Sequence, residues 1–555
     1  MNLTTIFQNF SKKTYWQVCV VLFFVIFFVI GLSIFKDYGL SVDEPFQRTI
    51  GYYWYINLLE IFSNNYENIT SIKEKYKLMY WSKFVQDGNL IQYGILFDTL
   101  CALIEENLNI QESHNAFYLK HFLTFFFFFL SVIFFYKLIV QRFENNFFSL
   151  FISLFYVTSP RIFAESFYNC KDIVFMSFCV YALFFCLKCL ENFNYKNILF
   201  FSIFAAFATN IRIMGILLFI LFLIFLIFNC LEEKQFFKKN IYKFLILLFA
   251  YPLTVYLFWP FLWDAPISNF IFTIKSFTNY NWQNEVFYLG NFFKGSNLPW
   301  HYIPVWIIAT TPIFFSIIFL LGFVKTGILL FSNFIKLSKE NKLWNNLNEK
   351  KDFFMFLFFI IPIFSVIFFN STLYGGWRHL YFIFPSFVYL IGVGVENFLE
   401  KKIYLKFKRI FYLLIVIFFI NNIYNLIKIH PYQNIYFNSL FEKKANKLFE
   451  IDYWGLGNKE ALKFLLDKQI DSAEIDLREA SFSSLGYSKL ILENTAKEKL
   501  SISGTTNESQ TFIFSNYIFD NNPKFEQKYS IGNNYNKIFI LKRGNIIINE
   551  IFKKK

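Results

Sequence analysis

The sequence predicts a polytopic, all-α membrane module of about eleven transmembrane helices with interfacial helices, followed by a small extracytoplasmic α/β domain. Three observations predict it. Apolar runs of spanning length recur through residues 1–427 of a 555-residue chain that is 56% hydrophobic. Lys and Arg gather in alternate short loops, as expected of loops held in the cytoplasm. From His430 the composition turns polar, and a helical pattern is followed by strand-like runs, so residues 428–555 read as a separate soluble domain.

Taken in order, Tyr15 to Ile34 is the first span, uncleaved because the apolar run is long and lacks a small-residue cleavage site. Lys12 and Lys13 hold its start inside. An outside loop, 35–115, carries Gly39-Leu-Ser-Val-Asp43-Glu44-Pro45. After it Phe46, Ile50, Trp54, Leu58 and Ile61 form one apolar face, the spacing of an interfacial helix. Ile91 to Ile104 is a second, shorter interfacial stretch containing Asp98. Further spans follow at Phe117–Val140, Phe147–Val157 (ended by Thr158-Ser159-Pro160), Ile173–Leu190, Ile198–Ala208, Ile213–Phe228 and Phe244–Trp259. Only Thr209 to Arg212 separates the fifth from the sixth, and a basic loop, Leu231 to Lys243, precedes the seventh. A Trp- and Tyr-rich outside loop, Pro260 to His301, leads to spans at Tyr302–Phe323, Phe353–Phe369, Leu380–Val395 and Ile410–Ile420. Lys401, Lys402, Lys406, Lys408 and Arg409 precede the last of these on the inside. Eleven crossings place the N-terminus inside and the C-terminal domain outside. In that domain Asn458–Lys468 reads as a helix, and Ala473–Leu477, Thr511–Ile518 and Lys537–Ile548 as strands.

Composition narrows the function. The net charge of +14 is concentrated in the inside loops, so it argues for membrane topology and against nucleic acid as a partner. The 85 Phe residues accompany an excess of Lys, Asn and Ile and read as coding bias. Seven cysteines, most in apolar runs, show neither a disulfide framework nor zinc spacing. No Walker-type glycine loop occurs, and Ile391-Gly-Val-Gly394 reads as helix packing rather than as a cofactor loop. Asn68-Ile-Thr70 and Asn507-Glu-Ser509 match a glycosylation acceptor pattern and read as chance.

The unusual polar residues fall on one side of the expected topology: Asp43, Glu44, Arg161, Glu165, Asn169, Lys171, Asp172, Arg212, Asp264, His301, Arg378 and His379. Ionisable groups held at a bilayer usually mark function. The plainer alternatives are an Asp43-Glu44 pair that caps a helix, and cations that are solvated anchors at helix ends. The combination offers a carboxylate as general base and several cations for a phosphate leaving group. With no nucleotide sugar outside the cell, a lipid-carried sugar is the natural activated donor.

Asp43-Glu44 after the first span resembles the signature of the C-type membrane glycosyltransferases. Ser159-Pro-Arg161 through Asn169-Cys-Lys-Asp172, Arg212-Ile-Met-Gly215, Leu298-Pro-Trp-His-Tyr-Ile-Pro304, Gly376-Trp-Arg-His379, His430-Pro-Tyr432 and Tyr436-Phe-Asn438 resemble runs of the protein O-mannosyltransferase and aminoarabinose-transferase group, glycosyltransferase family 39. Cys170 stands where that group tends to carry Pro before Lys-Asp.

The resemblance implies inverting transfer of a sugar from a polyprenyl-phosphate donor to an extracytoplasmic acceptor (protein, lipid or glycan) at a bacterial inner membrane. By it, Asp43 is the general base. Glu44 positions the acceptor or helps Asp43 hold a divalent metal if one is used. Arg161, Lys171, Arg212 and Arg378 hold the donor phosphate, and Asp172, Trp300, His301 and His379 contact sugar, acceptor or phosphate. No nucleotide cofactor is expected. The rival readings are a transporter or flippase of lipid-linked sugars, for which internal repeats are expected and none is found; a surface-glycan polymerase or ligase; and a scaffold, for which eleven spans are excessive.

Overall fold

The computed structural model describes residues 12–63, 66–76, 92–278, 285–340, 342–400, 408–468, 475–479, 485–503, 512–516 and 534–555. The start of the N-terminal basic segment, the middle of the first long loop, Lys401, Lys402, Lys406, Asn507 to Ser509 and parts of two expected strands lie outside them.

The described chain is mostly helix, because long apolar runs in a bilayer must satisfy their own backbone polar groups within the segment, and two of the helices carry an interior proline, Pro252 and Pro362. In chain order the helices are α1 (Lys12–Ile34), α2 (Glu44–Phe62), α3 (Tyr66–Lys75), α4 (Leu96–Asn107), α5 (Ser113–Phe143), α6 (Asn146–Val157), α7 (Pro160–Tyr168), α8 (Asp172–Glu191), α9 (Tyr195–Ile211), α10 (Ile216–Glu232), α11 (Phe236–Leu257), α12 (Pro266–Thr278), α13 (Tyr302–Thr310), α14 (Ile313–Glu340), α15 (Leu347–Phe368), α16 (Phe384–Glu400) and α17 (Lys408–Lys428).

Among the described residues, nine helices are long and apolar enough to cross a membrane, or ten if the pair α6 and α7, bent by 70°, is one span. This is a multi-pass membrane protein. Of the eleven expected spans, α9 has 17 residues, about 25 Å of helix against a hydrocarbon core of about 30 Å.

Four boundaries differ from the sequence reading. The basic loop expected over 231–243 is mostly helix, because Phe236–Lys243 continues into α11 and leaves only a short turn. The expected eighth span is two helices, since Thr311-Pro312 interrupts it and Pro cannot donate into a continuing helix. The single run expected over 537–548 is a hairpin turned at Gly544-Asn545. The helix α2 is buried on more than the one expected face: it buries Ile50 and Trp54, but also Gln47, Gly51, Tyr52 and Ile56, and leaves Ile61 59% exposed. It is clamped on a second face by α4, with Arg48 Nε donating to Glu105 at 3.0 Å.

The core is one continuous cluster of helix side chains. One close approach joins α14 to α16, where Gly394 meets the backbone of Gly322. A Cβ on either would run into the carbonyl of Ile318 or Leu390, the small-residue contact by which membrane helices pack. The glycine run expected to serve packing lies here.

Strands β1 (Glu285–Tyr288) and β2 (Asn291–Lys294) form a short hairpin before α13, and among the described residues the C-terminal chain forms a five-stranded sheet ordered β4 (Leu500–Ser503), β3 (Ile475–Glu479), β5 (Phe512–Asn516), β7 (Ile546–Lys554), β6 (Tyr535–Arg543). Strand β3 runs parallel to β4 and β5, while β5, β7 and β6 are antiparallel. The expected helix over 458–468 packs Leu462 and Leu465 against it. The connecting segment is not a loose linker. Tyr432, Phe437, Phe449, Ile451 and Trp454 are buried in the same core as the membrane helices. Lys459 Nζ donates to the carbonyls of Lys36, Asp37 and Tyr38 at 2.6, 3.3 and 3.1 Å, tying the domain to the end of α1.

Candidate active site

Five chain segments meet at one end of the helix bundle. Asp43 is the last residue before α2, whose first turn holds Pro45, and its side chain makes no capping hydrogen bond. The carboxylate keeps 35% of its surface exposed and accepts from Arg378 Nη1 at 2.7 Å. Arg378 stands after the turn Gly375-Gly376, where both residues have positive φ (+64° and +69°) that other side chains rarely adopt. A Cβ on Gly375 would lie 3.0 Å from Arg378 Nε and 3.1 Å from the Tyr453 ring, so the glycine lets the guanidinium fold back over its own turn. Trp377 Nε1, donating to Thr310 Oγ1 at 3.0 Å, pins the turn to α13. The guanidinium lies 4.6 Å from the Trp454 ring and 4.8 Å from Tyr374.

Arg378 reaches a second carboxylate. Its Nη1 is 3.6 Å from Asp172, which opens α8 and is also ion-paired with Arg212. Arg212 occupies the extended break between α9 and the turn that begins α10. Asn169 orders the acids behind them. Its Nδ2 donates to Asp172 at 3.0 Å and to Glu165 at 2.8 Å, and its Oδ1 caps the Asp172 amide at 2.9 Å. Glu165 also accepts from the Tyr381 and Tyr453 hydroxyls at 2.7 and 3.2 Å.

Two cations here are buried without an answering hydrogen bond. Arg161 is 1% exposed, and none of its three guanidinium nitrogens has a hydrogen-bond partner among the described residues. It faces the rings of Trp306 and Phe437 at 5.3 and 5.5 Å. Lys171 Nζ, likewise without a hydrogen-bond partner, lies 3.5 Å from the Tyr93 ring centroid. Burial, reinforced by Arg212, pushes the Lys171 ammonium down to about 7, although Asp98 and Asp172 oppose the shift. Buried polar groups in native proteins are nearly all paired, so this density of unanswered donors sets the cluster apart from the rest of the core.

The acidic pair divides. Glu44 is fully buried and faces away from the Arg378 cluster: Oε2 accepts from the Ser41 amide at 2.8 Å, and Oε1 is 3.0 Å from His121 Nε2. Successive residues at a helix start point about 100° apart, so adjacent acids do not share one face. The pair does not fit a jointly held divalent ion, since Asp43 meets a guanidinium and Glu44 a histidine. Among the described residues no group of three or more His, Cys, Asp or Glu is gathered around a metal-sized site.

The structure thus brings together Asp43, Arg378, Asp172 and Arg212, with Lys171 and Arg161 flanking them. His379 is beside them, packed edge-on against Tyr374 at 4.7 Å. His301 takes a hydrogen bond with the Tyr288 hydroxyl at 2.7 Å, and neighbouring Trp300 is 68% exposed; neither joins the Arg378 hydrogen-bond network among the described residues. Sequence reasoning left Asn169 and Glu165 without a role, although both lie in the dense run 159–172. Tyr381, Tyr453, Trp454 and Tyr93 carried no signal, because only the folded chain brings them to the acids. His121, an ionisable group inside a spanning helix, did carry one.

Residues 118–259 match the model of the dolichyl-phosphate-mannose-protein mannosyltransferase family. This match supports the C-type glycosyltransferase superfamily. It spans about a quarter of the chain and contains Arg161, Lys171, Asp172 and Arg212, while Asp43 and Arg378 lie outside it. A search of curated proteins finds no match to the chain.

Proposed function

We propose that the chain transfers a sugar from a polyprenyl-phosphate donor to an acceptor hydroxyl at the outer face of a bacterial inner membrane, with Asp43 as general base. The observation that carries this reading is the bridge made by Arg378. One guanidinium touches the exposed carboxylate of Asp43 and faces Asp172, itself paired to Arg212. A proton acceptor and a set of cations able to bind phosphate therefore lie in one cluster, the arrangement that sugar transfer from a lipid phosphate calls for.

In the step, Asp43 takes the proton of the acceptor hydroxyl as that oxygen attacks the anomeric carbon. The bond from that carbon to the phosphate oxygen breaks on the opposite side, and the electron pair leaves with the lipid phosphate. Arg378, Arg212 and Lys171 neutralise the growing charge, and Arg161 gains the partner that it lacks in the free protein. A single in-line displacement inverts the anomeric centre. Glu44 fixes the turn that presents Asp43 and does not touch substrate. The placement at the outer face is supported by the basic residues of the opposite end of the bundle, including Lys234, Lys238, Lys239, Lys350 and Lys351.

The test is a donor screen with purified, reconstituted protein and a panel of polyprenyl-phosphate sugars, reading a new glycosidic bond and its anomeric configuration by NMR. Inverted product from one donor is the expected result. Movement of donor between leaflets with no new bond would overturn the reading in favour of transport.

A further inference from the structure

A groove of about 180 Å³ opens where α17 leaves the bundle, between that helix, the first turn of α14 and the tip of the β6–β7 hairpin. Its floor is apolar: Phe314 and Phe418 stack with centroids 4.3 Å apart. Next to it α17 turns Ile420 and Ile427 outward, 64% and 72% exposed, as a lipid-facing helix does. The upper wall is polar and carries both signs of charge, with Arg543 held in an ion pair with Glu460 and Lys428 lining the groove beside it. Lys428 ends α17, and Arg543 reaches over from β6, its Nη2 donating to Glu460 at 3.0 Å. The acid at this rim, Glu442, accepts from Asn545 at 3.2 Å.

Between floor and rim lie Asn422 and Asn425, three residues apart and so on one face of α17. Asn422 is 3% exposed. Its Nδ2 donates to the Thr158 carbonyl at 2.6 Å, fastening α17 to the bend between α6 and α7, while its Oδ1 has no partner among the described residues. That buried acceptor calls for an O–H or N–H donor. The groove thus offers three surfaces in order of depth: cations for a phosphate, amides for hydroxyls, and aromatic rings open to the bilayer for a hydrocarbon tail.

We propose that this groove binds an anionic phospholipid whose headgroup carries hydroxyls, as a site separate from that of the sugar donor. The phosphate lies between Lys428 and Arg543, a headgroup hydroxyl donates to Asn422, and an acyl chain covers Phe418. Phe437 lines the groove on one side and faces Arg161 on the other, so the bound lipid backs the wall of the proposed phosphate site.

The experiment places the full chain in nanodiscs of equimolar phosphatidylglycerol and phosphatidylcholine and reads retained lipid by native mass spectrometry, which needs no transfer activity. Retention of phosphatidylglycerol several-fold above phosphatidylcholine is expected. The expected result for Lys428→Gln and for Asn425→Leu, each with an unchanged melting temperature, is a fall to parity. Parity in the unsubstituted protein would overturn the proposal, as would undiminished preference in both variants. So would displacement of phosphatidylglycerol by added polyprenyl phosphate, which would make the groove part of the donor site.

Discussion

The two ends of the helix bundle each hold a buried polar cluster, built to opposite specifications. At the end away from Asp43, Arg142 donates from Nε and Nη2 to Asp352 at 2.7 and 2.9 Å, and from Nη2 and Nη1 to Glu396 at 2.9 and 3.2 Å. Tyr389 adds a bond to Asp352 at 2.6 Å. Lys351 is paired with Glu191 and the Gln141 carbonyl, and Lys350 with Asn229. Each of these cations is answered. At the other end Arg161 and Lys171 lack hydrogen-bond partners, and Arg212 and Arg378 each leave Nε unsatisfied among the described residues. A closed network fixes how helices meet; an open one stores the capacity to bind. The same helices carry both, since α8 begins at Asp172 and ends at Glu191, so the rigid cluster supports the unsatisfied one.

Substitutions at the two ends should therefore fail differently. Arg142→Gln leaves Asp352 and Glu396 without their cation and should cost about 3–5 kcal/mol of stability, seen as loss of folded protein in a detergent melt. Arg378→Gln should keep the fold better and lower kcat by about 10²–10³, measured by product formation at saturating donor. If Arg378→Gln instead unfolds the protein as Arg142→Gln does, the distinction between the ends collapses.

Arg161→Met sharpens the comparison further. Removing an unanswered buried charge should raise the melting temperature of the donor-free protein, by about 1–2 kcal/mol in stability, while raising the donor KM about tenfold or more. A stability loss would mean that Arg161 serves the fold.

Lys171 supplies a pH signature. With its free-protein value near 7, the ammonium is mostly neutral above that pH and must take up a proton when a phosphate arrives. The donor KM should be flat below pH 7 and rise by up to about tenfold per unit above it, and Lys171→Arg should flatten the rise. The stability effect has the matching sign. Because the folded value is depressed, this lysine costs stability increasingly as pH falls from about 10.5 toward 7.

The smallest effect concerns Glu450, which holds the Phe287 amide at 3.1 Å near the Gly375 turn. Burial pushes this acid up to about 7. Its raised value imposes a cost that is complete above pH 7 and absent below about 4.5. Glu450→Gln should therefore raise stability at pH 8 by on the order of 1 kcal/mol, with the gain vanishing toward pH 5 in paired thermal melts.

Most spans were legible because bilayer length and uninterrupted hydrophobicity are local properties. The break at Thr158-Ser-Pro160 and the compact turn carrying Arg212 were legible for the same reason. Local pattern misread Glu44, since adjacency in sequence hid the divergence that helix geometry imposes. It also assigned 428–457 to the soluble domain, whereas Phe437, Trp454 and Tyr453 pack in or against the helix core and contact Arg161, Arg378 and Glu165 respectively. Those aromatics sit among 85 Phe, 34 Tyr and 11 Trp residues, so composition offered nothing to distinguish them.

The most direct measurement compares donor binding with sugar transfer in Asp43→Asn. The substitution keeps shape and removes the base, and Arg161, Lys171, Arg212 and Arg378 remain to hold the phosphate. Donor affinity within a few-fold of the unsubstituted protein, with transfer lowered by about 10²–10⁴, is the expected result. Transfer at the unsubstituted rate would contradict the account.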